Sequence, residues 1–168
     1  VEDQASSWHG LQVAGIIMAT ADNAVGIAGI DHFARLLPIR VLGKCGGFSS
    51  DILAGMKWAV GLSVPGVPRN PNPAKVLNLS LGGEGPCSDF EQQTINEVVA
   101  TGAVVVASAG NGSGSIDSPA NCNNVISVAA VGRDGALADY SNTGPSVTIS
   151  APGGTGFDGI NTTNNTGL

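Results

Sequence analysis

The chain has 168 residues, of which only 12% are charged, and its net charge is −6. Its 7 basic residues form no cluster, so a nucleic-acid-binding surface is not expected. No apolar run approaches the roughly 20 residues of a membrane span, and a hydrophobic content of 42% excludes a disordered chain. The 3 cysteines and the glycine-rich, weakly charged composition favour an oxidising compartment.

Helices and strands are predicted to alternate along the chain. Apolar residues 13, 16 and 17 lie on one face of a first helix, and further helices are predicted over residues 51–60 and 90–101. Strands are predicted over residues 36–42, 75–81, 103–110, 125–131 and 147–149. This order predicts an α/β fold with three layers, in which a mostly parallel sheet has helices on both faces.

The stretch 103–111 provides the central strand of this sheet. Three consecutive valines, 104–106, indicate a strand that is covered on both faces. The strand ends in small residues and then in Asn111, at the edge where open α/β sheets bind ligands. The Asn111 amide can stabilise an oxygen that becomes negative during a reaction. Asn111-Gly112 is also a strong turn signal, and these residues alone do not decide between the two uses.

Several short segments resemble one family, in the same order along the chain. Residues 8–15 (WHGLQVAG) are similar to the motif His-Gly-Thr-His-Val-Ala-Gly of the subtilisin-like serine proteases, or subtilases. Other segments resemble the substrate-cleft strand, the oxyanion strand, the base of the specificity pocket and two later stretches of that family: residues 78–83, 106–111, 118–130, 140–144 and 150–153. The loops that contain cysteine resemble the secreted bacterial branch of the family.

This resemblance implies a secreted serine endopeptidase that hydrolyses peptide bonds through an acyl-enzyme. His9 would be the general base, because an imidazole can take up and return a proton near neutral pH. Asn111 would donate a hydrogen bond to the oxyanion of the tetrahedral intermediate. The aspartate that orients the histidine and the attacking serine would complete the triad.

The resemblance also implies where an extended polypeptide substrate would bind. The backbone groups of Leu81, Gly82 and Gly83 would pair with the peptide by β-augmentation. Ala109 and Gly110 carry small side chains or none, which lets a ligand approach the end of the central strand closely. These five residues are therefore the predicted substrate-binding positions.

Two of the triad motifs are missing from the 168 residues. Neither the aspartate motif nor Gly-Thr-Ser-Met-Ala is present, and Leu11 and Gln12 replace the usual Thr and His beside His9. We interpret the chain as a partial catalytic domain spanning residues 1–168, truncated at both ends, and expect this segment alone to be inactive. The alternative is a catalytically inactive peptide-binding module, and a nucleotide-binding domain is disfavoured because no Gly-x-Gly-x-x-Gly follows a first strand.

Cofactors and metals have little support in the sequence. No cofactor is required by the proposed chemistry, and no zinc-binding spacing of His and Cys occurs. The loop from Ala21 to Ile27 resembles a calcium site of the family, with the Asn23 side chain and backbone carbonyls as oxygen ligands. The carboxylate that would complete the charge is absent, so calcium is only a candidate.

The cysteines allow three different pairs. Loop placement and the family resemblance together favour a bridge between Cys45 and Cys87, which would leave Cys122 without a partner in this segment. We expect a secreted monomer that acts on polypeptides and has no membrane or nucleic-acid partner. The alternative is that a second chain supplies the missing part of the domain.

Overall fold

The structure is a computed structural model and describes residues 7–44, 46–156 and 158–165. Its internal contacts divide the chain into two units, residues 48–160 and the rest. The first unit, residues 1–47 and 161–168, contains helix α1 (His9–Met18). The second unit contains two helices and four strands: α2 (Ser49–Ala59), β1 (Val76–Leu79), α3 (Asp89–Ala100), β2 (Val104–Ser108), β3 (Val125–Val131) and β4 (Ile149–Pro152).

The four strands form one parallel sheet in the order β1-β2-β3-β4. Helices α2 and α3 contact each other, and α3 contacts β2. The core lies at that contact, where Ile95, Val98 and Val105 are each 0% exposed. The predicted α/β fold with a parallel sheet is confirmed, and among the described residues no helix is long and apolar enough to cross a membrane.

Strand β2 is central but is not covered equally on its two faces. Val105 and Ala107 are 0% and 1% exposed, whereas Val104 is 41% exposed. The prediction that both faces of this strand are covered was therefore wrong for the face that carries Val104, which is exposed, and Val106, which is half-buried. A strand exposes alternate residues on opposite faces, so one face of β2 packs against α3 while the other is only partly covered.

In the first unit, the strand predicted over residues 36–42 is not formed. Leu36 and Leu42 at the ends of this segment are 47% and 37% exposed. Extended apolar residues become a strand only when a neighbouring chain accepts and donates the ladder hydrogen bonds. No such partner is described for this segment, in which Pro38 also lacks a backbone donor.

Helix α3 begins with a capping box. The Ser88 hydroxyl accepts the N–H of Glu91 at 3.3 Å, and the Glu91 carboxylate accepts the N–H of Ser88 at 2.9 Å. Burial alone would raise the pKa of the Glu91 carboxyl, but the hydrogen bonds from Ser88 outweigh it and hold that pKa below its ordinary value. The ionised form is therefore the one that the folded helix start favours.

We expect Ser88→Ala to destabilise the protein by about 1 kcal/mol, because it removes an N-cap acceptor. The stabilisation by Glu91 is present above the ordinary pKa of 4.5 and is lost as pH falls through the lower folded-state pKa. Urea unfolding at neutral and acidic pH measures both effects. Ser50→Ala is the matched control, because α2 has no side-chain cap at its start; an equal loss in both variants would contradict the assignment.

Candidate active site

The end of β1 is tied to a distant loop by a pair of backbone hydrogen bonds. The Gly83 N–H donates to the Ser118 carbonyl at 2.9 Å, and the Ser118 N–H donates to the Gly83 carbonyl at 3.0 Å. An N–H group makes one such bond at a time, so the Gly83 N–H is already occupied. The prediction that Gly83 pairs with a substrate is corrected on this point: its polar groups hold the Ser118 loop instead.

Leu81 and Gly82 differ from Gly83 in this respect. Neither has a backbone hydrogen-bond partner among the described residues, and they follow β1, which is an edge strand of the sheet. A Cβ atom at Gly82 would lie 2.9 Å from the Ser118 carbonyl oxygen, so the close approach of the two segments requires glycine here. Leu81 and Gly82 thus offer free backbone N–H and C=O groups next to the hydrogen-bonded pair of Gly83 and Ser118.

The end of β2 carries the second predicted feature, Asn111. Ala109 is buried, donates its N–H to the Val128 carbonyl at 2.9 Å, and accepts the Asp117 N–H at 2.9 Å. Gly110 has a φ of 113°. Asn111 follows as an exposed residue, and its side-chain amide has no hydrogen-bond partner in the described parts of the chain. The amide is therefore available to a ligand, while the strand beneath it is fixed.

Gly110 is a position where no side chain fits. A Cβ atom there would overlap the Asp117 carboxylate and the Asn142 amide nitrogen. The backbone also has a φ that L-residues with side chains rarely adopt. Together these constraints explain why glycine is required at the position just before Asn111.

Asn142 is the residue whose importance sequence reasoning missed. It is 2% exposed, and its Oδ1 accepts the N–H groups of Gly112 and Gly114 at 2.8 and 3.0 Å. In the sequence it stands in a Ser-Asn-Thr-Gly stretch that indicates a turn and resembles a family segment, but neither signal assigns the asparagine a role. A buried asparagine bonded to a loop 28–30 residues away leaves no local signal in the sequence.

His9 is the first residue of α1 in the first unit and is exposed. Its backbone N–H donates to the Ser7 hydroxyl at 3.4 Å, and Trp8 before it is the helix N-cap with a left-handed φ of 53°. The prediction that a helix starts near this histidine is confirmed. Leu11, which replaces a polar residue of the family motif, is 41% exposed on the same helix.

The described side chains of the candidate calcium loop do not establish an ion site. The Asn23 Oδ1 atom, the only side-chain oxygen proposed as a ligand, already accepts the Val25 N–H at 3.1 Å. Calcium takes six to eight oxygen ligands, with carboxylates among them as a rule. Within the described ranges no group of three or more His, Cys, Asp or Glu residues is placed to hold a metal.

The disulfide bond links Cys87 to Cys122, which are 35 residues apart. The predicted Cys45–Cys87 pair is wrong, and Cys45 itself lies outside the described residues. That prediction placed Cys45 after a strand neighbouring β1, and residues 36–42 form no strand. The observed bridge instead joins the loop after β1 to the turn before β3, close in sequence to the Gly83–Ser118 pair.

Comparison with known proteins decides the family. The model of the peptidase family described as the subtilase family matches residues 2–168. The chain belongs to the subtilase family. The predicted resemblance is thereby confirmed over nearly the whole sequence.

Individual subtilases share about half of their aligned residues with this chain. An extracellular protease of Xanthomonas campestris pv. campestris is 51% identical over 150 residues, covering 88% of this chain and 26% of that protein. An extracellular basic protease of Dichelobacter nodosus is 48% identical over 154 residues, covering 90% and 26%. A solved protease structure from Pseudoalteromonas arctica superimposes with a TM-score of 0.88 at 50% identity, covering 91% of this chain and 46% of that one.

The chain therefore spans about a quarter of the two extracellular proteases and about half of the solved protease. The structural match shows that the four-stranded parallel sheet and its helices are similar to part of the fold of that solved protease.

Proposed function

We propose that the protein carrying this chain is a secreted serine endopeptidase and that residues 1–168 are part of its catalytic domain. The observation that carries the proposal is the free side-chain amide of Asn111 at the carboxyl end of β2. Membership in the subtilase family and the similarity to two extracellular proteases support it.

Asn111 supplies the electrostatic part of the reaction. When a nucleophile attacks a peptide carbonyl, the oxygen gains negative charge and needs donors that are already in place. The Asn111 amide has two N–H donors and no competing partner among the described residues. Strand β2, which leads to Asn111, is fixed on both sides by parallel neighbours, so the donor is carried by a loop that starts from a rigid strand.

His9 moves the proton. In acylation its imidazole takes the proton from the attacking hydroxyl and gives it to the leaving amine. In deacylation it takes a proton from the attacking water and returns it to that hydroxyl. The exposed position at the start of α1 leaves the ring accessible. No serine of this chain stands in the family's nucleophile motif, so the attacking hydroxyl and the orienting carboxylate are proposed to come from other parts of the protein.

The substrate is proposed to be an extended polypeptide that pairs with Leu81 and Gly82. Their unpaired backbone groups beside an edge strand are suited to β-augmentation. Gly83 contributes indirectly, because its pair with Ser118 keeps the neighbouring segment in place. Secretion, a monomeric state and independence from a cofactor are proposed with the function, and no step is assigned to calcium.

Asn111→Ala in the full-length protein tests this function. We expect kcat on an internally quenched peptide to fall by about 10²- to 10³-fold with little change in KM, since the bond to the oxyanion forms only in the transition state. That magnitude is taken over from the corresponding asparagine of a subtilisin, a relative. A serine-directed sulfonyl fluoride should abolish the wild-type activity.

Asn72→Ala is the matched control. Asn72 is also exposed, and its side chain has no described hydrogen-bond partner, but it lies in the proline-rich loop before β1. Its substitution should leave kcat unchanged. A wild-type protein that binds peptides but does not cleave them would favour the inactive peptide-binding alternative instead.

A further inference from the structure

The loop that carries Asn111 is held by a second segment of the same unit. We call residues 110–114 the Asn111 loop and residues 139–143 the clamp segment. Residues 111–114 are exposed, yet the loop makes six hydrogen bonds to the clamp segment. A glycine-rich exposed loop has little reason to adopt one conformation by itself, so these bonds decide its shape.

Asn142 makes half of those bonds, on both sides of Asn111. Its backbone N–H donates to the Gly110 carbonyl at 3.0 Å. Its side-chain Oδ1 accepts the N–H groups of Gly112 and Gly114 at 2.8 and 3.0 Å. One residue thus fixes the peptide groups that immediately precede and follow Asn111.

The remaining bonds act on the far side of the loop. The Ser113 N–H donates to the Tyr140 carbonyl at 3.0 Å, and its hydroxyl donates to the Asp139 carbonyl at 2.6 Å. The Thr143 N–H donates to the Gly114 carbonyl at 2.9 Å. Ser113 has a φ of 54°, a left-handed conformation that costs free energy in a residue with a side chain and persists only when neighbours enforce it.

Asn142 is itself anchored to the sheet. The Ser141 hydroxyl donates to the Asn142 carbonyl at 3.0 Å and accepts the Ala130 N–H of β3 at 2.9 Å. Ser141 and Asn142 are 3% and 2% exposed. The bonds to the Asn111 loop therefore start from a buried residue connected to a central strand, which makes the clamp segment a rigid support.

We infer that Asn142 is a positioning residue for Asn111: it orders the Asn111 loop so that the side-chain amide is aimed before charge develops on a substrate. This inference rests on the proposed function for its catalytic consequence. Its structural content, the restraint of the Gly112 and Gly114 amides, is independent of any activity. A displacement of about 1 Å in a catalytic group can lower the rate about 10²-fold. Loss of this restraint is therefore expected to lower kcat.

Amide hydrogen exchange in the full-length protein measures the restraint directly. In the wild type, the Gly112 and Gly114 amides should exchange slowly although both residues are exposed. Asn142→Leu removes the acceptor oxygen at similar volume, and both amides should then exchange faster. Asn142→Asp keeps that oxygen and should retain the protection. Rapid exchange at both glycines in the wild type would overturn the inference without any variant having to fold.

Kinetics in the same variants separate positioning from general destabilisation. Asn142→Leu should lower kcat at least about tenfold with KM nearly unchanged, and by no more than Asn111→Ala does. Asn142→Asp should keep kcat closer to wild type. Asn70→Leu is the matched control: Asn70 is 6% exposed and its side chain also makes two hydrogen bonds to backbone, to Ala59 and Asn72, away from the Asn111 loop.

The two readouts distinguish the possible failures. If Asn142→Leu leaves glycine exchange unchanged, or lowers kcat no more than Asn70→Leu does, Asn142 does not position Asn111. If Asn111→Ala keeps full kcat, the proposed oxyanion role fails and the catalytic part of the inference falls with it. Faster exchange and lower kcat in Asn142→Leu, but not in Asn70→Leu, support the inference.

Discussion

His9→Ala in the full-length protein is expected to lower kcat by about 10⁶-fold, the largest effect of any single substitution in this chain. The magnitude is taken over from the corresponding histidine of a subtilisin. Without the imidazole, the attacking hydroxyl keeps its proton and the leaving amine receives none, so both steps of the acyl-enzyme route are slowed. Residual hydrolysis should remain above the uncatalysed rate, since Asn111 and the substrate-binding backbone are unaffected.

His32→Ala provides the control for this prediction. It is the second of the 2 histidines, and its ring contacts Phe33 with 4.2 Å between ring centroids. Its removal should leave kcat unchanged. Steady-state kinetics on one peptide, with correctly folded protein verified by circular dichroism, make the comparison. Full activity in His9→Ala would exclude His9 as the general base.

Loss of the Cys87–Cys122 bridge is the second large effect we expect. A crosslink between residues 35 apart stabilises the folded protein by about 4 kcal/mol in the chain-entropy model. Cys122→Ala in the full-length protein should therefore shift the urea midpoint strongly downward. The effect should be of the same size when the wild type is reduced, because reduction removes the same constraint from the unfolded chain.

The pairing itself can be checked separately. A non-reducing peptide map should contain a linked fragment with Cys87 and Cys122, and Cys45→Ala should leave that fragment unchanged. A fragment linking Cys45 to Cys87, with stability lost on Cys45→Ala, would restore the sequence-based pairing and refute the structural one.

Local patterns were sufficient for most elements of the second unit. Strand β3 begins and ends where its apolar run predicted, at Val125 and Val131, because only the small, buried Ser127 interrupts that run. Helix α3 was predicted from its buried stripe, and its end is marked by Gly102 with a φ of 86°. The family resemblance followed from short motifs that are contiguous in sequence.

The sequence-based predictions that were wrong or incomplete concern residues whose partners are distant in sequence. Residues 36–42 have the composition of a strand, but the described part of the chain offers no neighbour with which they pair. The Gly83 backbone looked available until its pair with Ser118, 35 residues later, was seen. Asn142 was inconspicuous for the same reason, since its acceptor oxygen serves a loop on another part of the chain. Periodicity and propensity describe one segment at a time and do not specify such pairs.

The hydrogen bond from Gly112 to Asn142 also bears on how this protein ages. In spontaneous deamidation of an Asn-Gly sequence, the glycine amide nitrogen attacks the asparagine side-chain carbonyl, ammonia leaves, and water opens the resulting ring to aspartate or isoaspartate. Here that nitrogen donates to the Asn142 oxygen at 2.8 Å and is held away from the attack. The bond that orders Asn111 thus slows its conversion into a carboxylate, whose negative charge would repel the oxyanion it should stabilise.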